Sequence, residues 1–187
     1  MTDRFTLHFK GQVVLDGGGI REGHLWEGLP DFTVRLDELR TRPMDHKKVL
    51  KWYKDHSGFK DRYRVIESLD GAGPGLVRGR TTYRETNDFA NMKNARYQYS
   101  PYLFEALLQL LGFHTAAMDP SERRSMIPME IGEMRFLPKC QEGEQITLEA
   151  RMRAQDGEGL YWDARGIDDQ GRTIMQVHNI RMHWVSE

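Results

Sequence analysis

Apolar residues are most concentrated between positions 101 and 113. The segment reads Pro101-Tyr-Leu-Phe-Glu-Ala-Leu-Leu-Gln-Leu-Leu-Gly-Phe113, and its apolar side chains would cover every side of a helix. Ser100 can cap the first amides of such a helix, and Pro101 is tolerated at its first position because the missing amide has no partner there. The pattern predicts a helix from Pro101 to Phe113 that is buried all round.

The residues after this helix alternate in the manner of β-strands. Ile146, Leu148, Ala150 and Met152 share one face with period two, which is typical of a sheet with one buried side. Turn residues such as Glu142-Gly143 separate four such segments. The predicted strands are 127–137, 145–154, 160–167 and 172–185.

Two elements are predicted before the central helix. Residues 44–56 carry apolar side chains at near-helical spacing, so they predict an amphipathic helix. Residues 63–69 and 76–83 are extended segments on either side of Gly71-Ala-Gly-Pro-Gly75, which predicts a hairpin. The glycine run lacks the lysine and following helix of a phosphate-binding loop, so we interpret it as a turn.

The order hairpin, helix, meander predicts an α+β fold. No second long apolar helix is available to cover the central one, so the sheet must curl around it. This arrangement, a curled antiparallel sheet wrapped around one central helix, is the hotdog fold. We predict one hotdog domain over residues 44–187, preceded by an N-terminal strand (4–15) and linker over residues 1–43.

Composition restricts the partners and the compartment. The chain has 27 Lys and Arg against 28 Asp and Glu, a net charge of -1, and it lacks the basic footprint of a nucleic-acid-binding protein. The single cysteine, Cys140, excludes an internal disulfide and favours a reducing compartment. No apolar run has the length of a bilayer span. We therefore predict a cytoplasmic protein that binds neither nucleic acid nor membrane.

Glu105 and Gln109 interrupt the apolar helix, and their spacing places them on one face within reach of each other. Loss of hydration raises the pKa of a carboxyl group, which makes Glu105 a candidate general acid. The alternative is that Glu105 merely points out of a crevice or pairs with an arginine such as Arg96. Amides near Ser100 could also hydrogen-bond a thioester oxygen.

The stretch from Pro101 to Gln109 resembles the second-hotdog motif of polyketide synthase dehydratase domains, Pro-x-Leu-Leu-Asp-Ala-x-x-Gln, with Glu105 in place of the family's catalytic aspartate. Read through Gly112, the same residues resemble stand-alone 3-hydroxyacyl-(acyl carrier protein) dehydratases of fatty acid synthesis, whose acid is a glutamate. Weaker similarity covers residues 7–13, 52–66 and 127–136. The chain thus resembles the C-terminal half of a double-hotdog dehydratase, with residues 1–43 as a remnant of the first half.

The resemblance implies a dehydratase that acts on 3-hydroxyacyl thioesters carried by acyl carrier protein, in polyketide or fatty acid synthesis. Glu105 would be the catalytic acid, and Gln109 would orient the acid or the substrate. The phosphopantetheine arm of the carrier would reach them between two hotdogs, without any bound cofactor. From its place at the helix mouth, Tyr102 is a candidate substrate-binding residue, although aromatic side chains there more often pack.

The family's catalytic base is a histidine in the context His-x-x-x-Gly-x-x-x-x-Pro, and none of the seven histidines here has that context. His24 comes nearest, and His114 is interpreted as a helix C-terminal cap. We interpret the other histidines as ordinary residues and expect no metal site. The base would then come from another hotdog, so a homodimer or a second histidine-bearing hotdog is expected as partner.

Two other functions stay open. The absent histidine context also suits a non-catalytic hotdog that binds acyl chains or acts as a scaffold in a synthase. A hotdog thioesterase that uses Glu105 to activate water is the third possibility.

Overall fold

The computed structural model describes residues 25–84, 99–118, 125–137 and 140–185. The predicted strand over 4–15 lies outside these ranges. The elements are helices α1 (His46–His56) and α2 (Pro101–Met118) and strands β1 (Ser68–Gly73), β2 (Leu76–Thr82), β3 (Ser125–Phe136), β4 (Gln145–Gln155), β5 (Gly159–Ile167) and β6 (Thr173–Val185). The predicted hairpin and four-strand meander are therefore confirmed. The first strand of the hairpin begins at Ser68 instead of at residue 63, residues 61–63 form a 3₁₀ turn, and Gly71 to Gly73 of the predicted turn belong to β1.

The six strands form one antiparallel sheet in the order β1-β2-β4-β5-β6-β3. Strand β3 follows α2 directly in sequence but pairs with β6 at the edge opposite β1. The helix consequently packs across the sheet and contacts strands from β1 to β5. The predicted hotdog fold, a curled antiparallel sheet around one central helix, is confirmed.

Bulges bend the sheet around α2. In β6, His178 and Asn179 lie opposite the single residue Asp163 of β5, and an extra residue of this kind bends a strand and increases its twist. Asn179 adopts a left-handed backbone conformation with φ 56°. The buried carboxylate of Asp163 accepts the Asn179 amide at 3.1 Å and lies 2.6 Å from Nδ1 of His178. Asp163 thereby fixes the bend of β5 and β6.

The core lies between α2 and the concave face of the sheet. Ile146, Leu148 and Ala150 of β4 are fully buried, as their alternation predicts. Burial of a large aliphatic side chain contributes about 1.5–3 kcal/mol, so this face dominates the stability of the fold. The helix contributes Leu103, Ala106, Leu107, Leu110, Leu111 and Phe113 to the same core.

Residues 25–44 lie against the opposite face and one edge of the sheet. Phe32 is buried between the guanidinium groups of Arg151 and Arg165, which lie 5.0 Å from its ring. The amides of residues 40 and 41 donate to the carbonyl oxygen of Ala72 in β1, which covers that edge. Part of the predicted linker is thus packed on the sheet, while the domain boundary at residue 44 stays a prediction.

The central helix ends at Met118, beyond the predicted end at Phe113. The expectation that His114 caps its C-terminus is therefore wrong. His114 is buried inside the helix, where Nε2 lies 3.1 Å from the carbonyl oxygen of Gly73 and the ring packs edge-on against Trp162. These two contacts with the sheet stabilise the additional turn.

Acidification is expected to destabilise the protein partly through His114. Burial lowers the pKa of His114 below its ordinary value of 6.5. As the pH falls through about 6.5, the unfolded chain therefore binds a proton at this site before the folded protein does, and the free energy of unfolding decreases. Urea unfolding at pH 5–8 measures this effect. The decrease in the free energy of unfolding between pH 7 and pH 5 should be smaller in His114→Gln than in the wild type.

The control is His46→Gln, which removes an exposed histidine from the start of α1. This variant should keep the pH dependence of the wild type. Identical pH dependence in wild type and His114→Gln would contradict the prediction.

Candidate functional site

Glu105 and Gln109 lie on one face of α2 and are hydrogen-bonded to each other. Gln109 Nε2 donates to Oε1 of Glu105 at 2.8 Å and to the carbonyl oxygen of Tyr63 at 2.8 Å. The amide oxygen of Gln109 accepts the hydroxyl of Tyr53. The buried amide has a partner for each of its polar atoms, so its orientation is fixed and it holds the carboxyl group of Glu105 in turn.

Tyr53 connects this pair to the rest of the fold. It is fully buried on α1, and its hydroxyl accepts the amide of Ile66 at 3.0 Å while it donates to Gln109. Burial raises the pKa of Tyr53, so the hydroxyl remains a proton donor. The sequence pattern assigns Tyr53 to the packing face of an amphipathic helix, and nothing in that pattern indicates a partner 56 residues away.

A cavity of about 150 Å³ opens beside Glu105. Glu105 is half-buried there, and the polar atoms of Gln109 and Tyr53 are already engaged with each other and with the backbone. Glu105 therefore contributes a carboxyl group to a cavity whose lining is otherwise mostly apolar. The remaining lining residues are Trp52, Phe59, Leu108, Gly112, Phe113, Met126, Pro128 and Met182.

Tyr102 does not join this arrangement. Its side chain is 3% exposed and packs in the core, and it is not among the residues that line the cavity. Tyr99 packs against Phe104 and Phe136. Arg96, the alternative partner weighed for Glu105, lies outside the described residues.

The start of α2 is capped as its sequence predicts. The hydroxyl of Ser100 accepts the amide of Leu103 at 3.2 Å, and its carbonyl oxygen accepts the amide of Phe104 at 3.1 Å. Both amides are thus already hydrogen-bonded within the helix cap. The expectation that amides near Ser100 hydrogen-bond a thioester oxygen stays a prediction.

The described histidines do not contribute to the lining of the cavity. His46 and His56 are exposed on α1, and His114 is buried inside α2. His178 lies beside Asp163, and His183 lies in β6. None of these five lines the cavity beside Glu105, and His8 and His24 are outside the described residues.

A second group of ionisable side chains lies at the far end of the sheet. Glu144, Asp168 and Asp169 each place a carboxylate oxygen, an atom type that can bind a metal ion, within 4.8 Å of the other two. Asp168 already accepts the guanidinium of Arg172 at 2.7 Å and two backbone amides. Nearby, burial and the charges of Glu144 and Asp168 raise the pKa of Cys140 to about 12, so the thiol stays protonated at neutral pH.

A family model described as "Polyketide synthase dehydratase N-terminal domain" matches residues 32–187. The resemblance to polyketide synthase dehydratases is therefore confirmed, but the assignment to the C-terminal half is not, because the model that matches describes the N-terminal domain. A search of curated proteins gave no match.

Solved structures of dehydratase domains share the fold. The dehydratase domain from the CurK module of curacin polyketide synthase matches with a TM-score of 0.59 and 17% identity over 80% of this chain and 50% of its own. The dehydratase domain of RzxB from Pseudomonas fluorescens gives 0.58 and 15% over 76% and 50%. An inactive CurK dehydratase variant with an aspartate replaced by asparagine gives 0.61 and 17% over 84% and 55%. The chain spans about half the length of these structures.

Removal of the Tyr53 hydroxyl should disrupt the site and the fold together. Tyr53→Phe leaves the amide of Ile66 and the amide oxygen of Gln109 buried without their partner, which should lower the free energy of unfolding by about 2 kcal/mol. Urea denaturation measures this loss. Tyr161→Phe is the matched control, because its hydroxyl donates to the exposed carboxylate of Asp156, and it should cost under about 0.5 kcal/mol. Equal stability of the two variants would contradict the role of the Tyr53 hydroxyl as the buried hydrogen-bond partner of Ile66 and Gln109.

Proposed function

Because the chain belongs to the polyketide synthase dehydratase family, we propose that it is the acid-bearing hotdog of a dehydratase. Its substrates would be 3-hydroxyacyl thioesters attached to acyl carrier protein through phosphopantetheine, in polyketide or fatty acid synthesis. The observation that supports this most directly is a single carboxyl group, Glu105, held by Gln109 at the wall of an apolar cavity.

Dehydration needs two groups with opposite tasks. A base removes the proton on the carbon next to the thioester, and an acid protonates the hydroxyl on the following carbon as its C–O bond breaks. Glu105 is the acid in this proposal, so its proton leaves as part of water and the carbon–carbon double bond forms. Gln109 keeps the carboxyl group oriented toward the cavity, which lowers the cost of alignment during the reaction.

The base is proposed to come from a second hotdog. None of the described histidines lines the cavity of this chain. The solved CurK dehydratase is described as inactive after replacement of an aspartate by asparagine and also after replacement of a histidine by phenylalanine. Glu105 would take the part of such an aspartate, and the histidine would belong to a partner.

The half of the double hotdog to which the chain corresponds is part of the proposal. The matched family description names the N-terminal domain. We propose the acid-bearing second half, because Glu105 stands in the Pro-x-Leu-x-x-Ala-x-x-Gln context of the helix and the cavity opens beside it.

Among the described residues, β3 pairs with β6 only, and we propose that a second hotdog pairs along the other side of β3. Residues 40 and 41 cover the β1 edge, whereas β3 pairs with β6 on one side. Ile127 and Met129 of β3 are 46% and 51% exposed. Met126 and Pro128 of the same strand line the cavity. A partner along β3 would therefore also lie over the site of Glu105.

Location and further partners complete the proposal. In the described residues, neither helix has the length and apolar character needed to cross a membrane. We propose a cytoplasmic location, with an acyl carrier protein as the partner that delivers the substrate and with no bound cofactor.

Loss of the carboxyl proton should abolish dehydration. The chain is mixed with a 3-hydroxyacyl-carrier-protein thioester, with and without a histidine-bearing hotdog, and enoyl product and free acid are followed by mass spectrometry. Glu105→Gln keeps the shape and the contact with Gln109 but supplies no acidic proton, so enoyl formation should fall at least about 100-fold. Asp169→Asn, an exposed acid at the far end of the sheet, should leave the rate unchanged.

The other products of the same mixture separate the competing functions. Free acid without enoyl product would contradict the dehydratase and favour a thioesterase. Acyl binding without turnover under every pairing would favour the non-catalytic hotdog.

Pairing along β3 should be visible as molecular mass. We expect a dimer by light scattering, either of two copies of the chain or of one copy with the histidine-bearing hotdog, and a charge introduced on β3 should prevent it, because a charged side chain loses hydration in such an interface at a large cost. Met129→Glu should therefore give the monomer mass. Leu36→Glu alters another exposed apolar residue, 61% accessible and outside β3, and should leave the dimer intact. A strictly monomeric wild type would count against the homodimer.

A further inference from the structure

Gly112 occupies a position where glycine is unfavourable. It lies inside α2, six residues before the helix ends at Met118. Glycine is among the poorest residues for a helix interior, because a glycine loses more backbone freedom on folding than an alanine does. A glycine in this place calls for a reason in packing, in backbone conformation or in function.

Neither packing nor backbone conformation supplies the reason. Among the residues that the structure describes, a Cβ atom at Gly112 would meet no heavy atom within 4 Å, and the backbone of Gly112 has no positive φ. Gly79 of β2 shows the contrast, because a Cβ there would approach Ser68 at 2.8 Å and Leu110 at 3.1 Å. The space beside Gly112 is therefore open. The packing and the backbone conformation of α2 would also accept a residue larger than glycine at this position.

That space is the cavity beside Glu105. Gly112, Leu108 and Glu105 are spaced by four and three residues, so they follow one another along the same face of α2. Seven residues of helix separate the carboxylate position from Gly112 by roughly 10 Å along the axis. A side chain at position 112 would project into the cavity at the end away from Glu105.

We propose that Gly112 determines which acyl chains the site accepts. The missing side chain leaves room for an unbranched aliphatic acyl group that begins at Glu105 and extends along α2. The walls at that end are apolar, with Phe113 and Met182 among them. This inference rests on the proposed function, because it places the reacting carbon beside Glu105.

The size of the cavity limits the chain length. Its volume is about 150 Å³, and an engineered apolar cavity of about that size in another protein holds benzene, a ligand of six carbons. The acyl group that fits is accordingly short, with up to about six carbons. Polar acyl groups find few hydrogen-bond partners among the mostly apolar lining residues.

The test measures binding without catalysis. Saturated acyl thioesters of N-acetylcysteamine with four, six and eight carbons lack the hydroxyl group, so they bind without reacting and need no base. Their dissociation constants are measured by calorimetry for wild type, Gly112→Ala and Gly112→Val. Gly112→Val should weaken binding of the six-carbon thioester at least about tenfold, since it displaces two or more buried methylene groups, and should affect the four-carbon thioester less.

Thermal unfolding shows whether the effect is specific. Gly112→Ala removes the unfavourable glycine without a clash, so its Tm should rise by about 2–4 °C while its affinity for the six-carbon thioester falls. A variant that merely damaged the fold would lose both. Met118→Val is the control, because it introduces the same side chain at the exposed end of the same helix outside the cavity lining, and its acyl affinities should equal those of the wild type.

The outcomes distinguish this inference from the proposed function. Six-carbon affinity unchanged in Gly112→Val, or a wild type that binds none of the thioesters, would overturn the role of Gly112. The role of Gly112 would be supported if affinity depends on acyl chain length and Gly112→Val lowers the affinity for the longer thioesters. That support would hold even if no enoyl product forms with any partner, a result that would overturn the proposed function alone.

Discussion

The arrangement of the site depends on one buried amide. A primary amide inside an apolar helix is costly unless each of its donors and acceptors finds a partner. Gln109 meets this requirement with the Tyr53 hydroxyl, the Tyr63 carbonyl oxygen and the Glu105 carboxylate. The same bonds join α1, the loop after it and α2. A requirement of stability therefore also determines the position of the carboxyl group.

Polar groups on the other side of the sheet meet a similar requirement. Glu149 is almost fully buried and accepts two bonds from the guanidinium of Arg165, at 3.0 and 3.1 Å. Arg165 also packs against Phe32, so the N-terminal segment removes this pair from water. Buried ion pairs of this kind contribute little net stability, but the loss of one partner is strongly destabilising. The pair therefore commits the segment before α1 to a single position on the sheet.

The sequence is informative where its periodicity is strong. The alternation through Ile146 and Leu148 predicts a half-buried strand, and the continuous apolar stretch after Pro101 predicts the buried helix, because both patterns result from burial alone. Features that depend on distant contacts are not visible in such patterns. The end of α2 depends on the contacts of His114 with Gly73 and Trp162.

The same limit applies to the candidate site. The spacing of Glu105 and Gln109 places the two side chains together, since neighbours on a helix face follow from its geometry. The role of Tyr53 and the location of Tyr102 in the core depend on how α1 and the sheet pack against α2. The pattern of apolar and polar residues along the sequence does not indicate how these elements pack.

The two edges of the sheet are treated differently, and this has a consequence for assembly. The amides of residues 40 and 41 already occupy the Ala72 carbonyl on the β1 side, so a further strand finds fewer hydrogen-bonding groups there. If two molecules associated through the β3 edge, their β1 edges, which residues 40 and 41 cover, would face outward. Growth into an extended fibre, the usual hazard of an exposed strand, would be terminated by the chain itself after a single step.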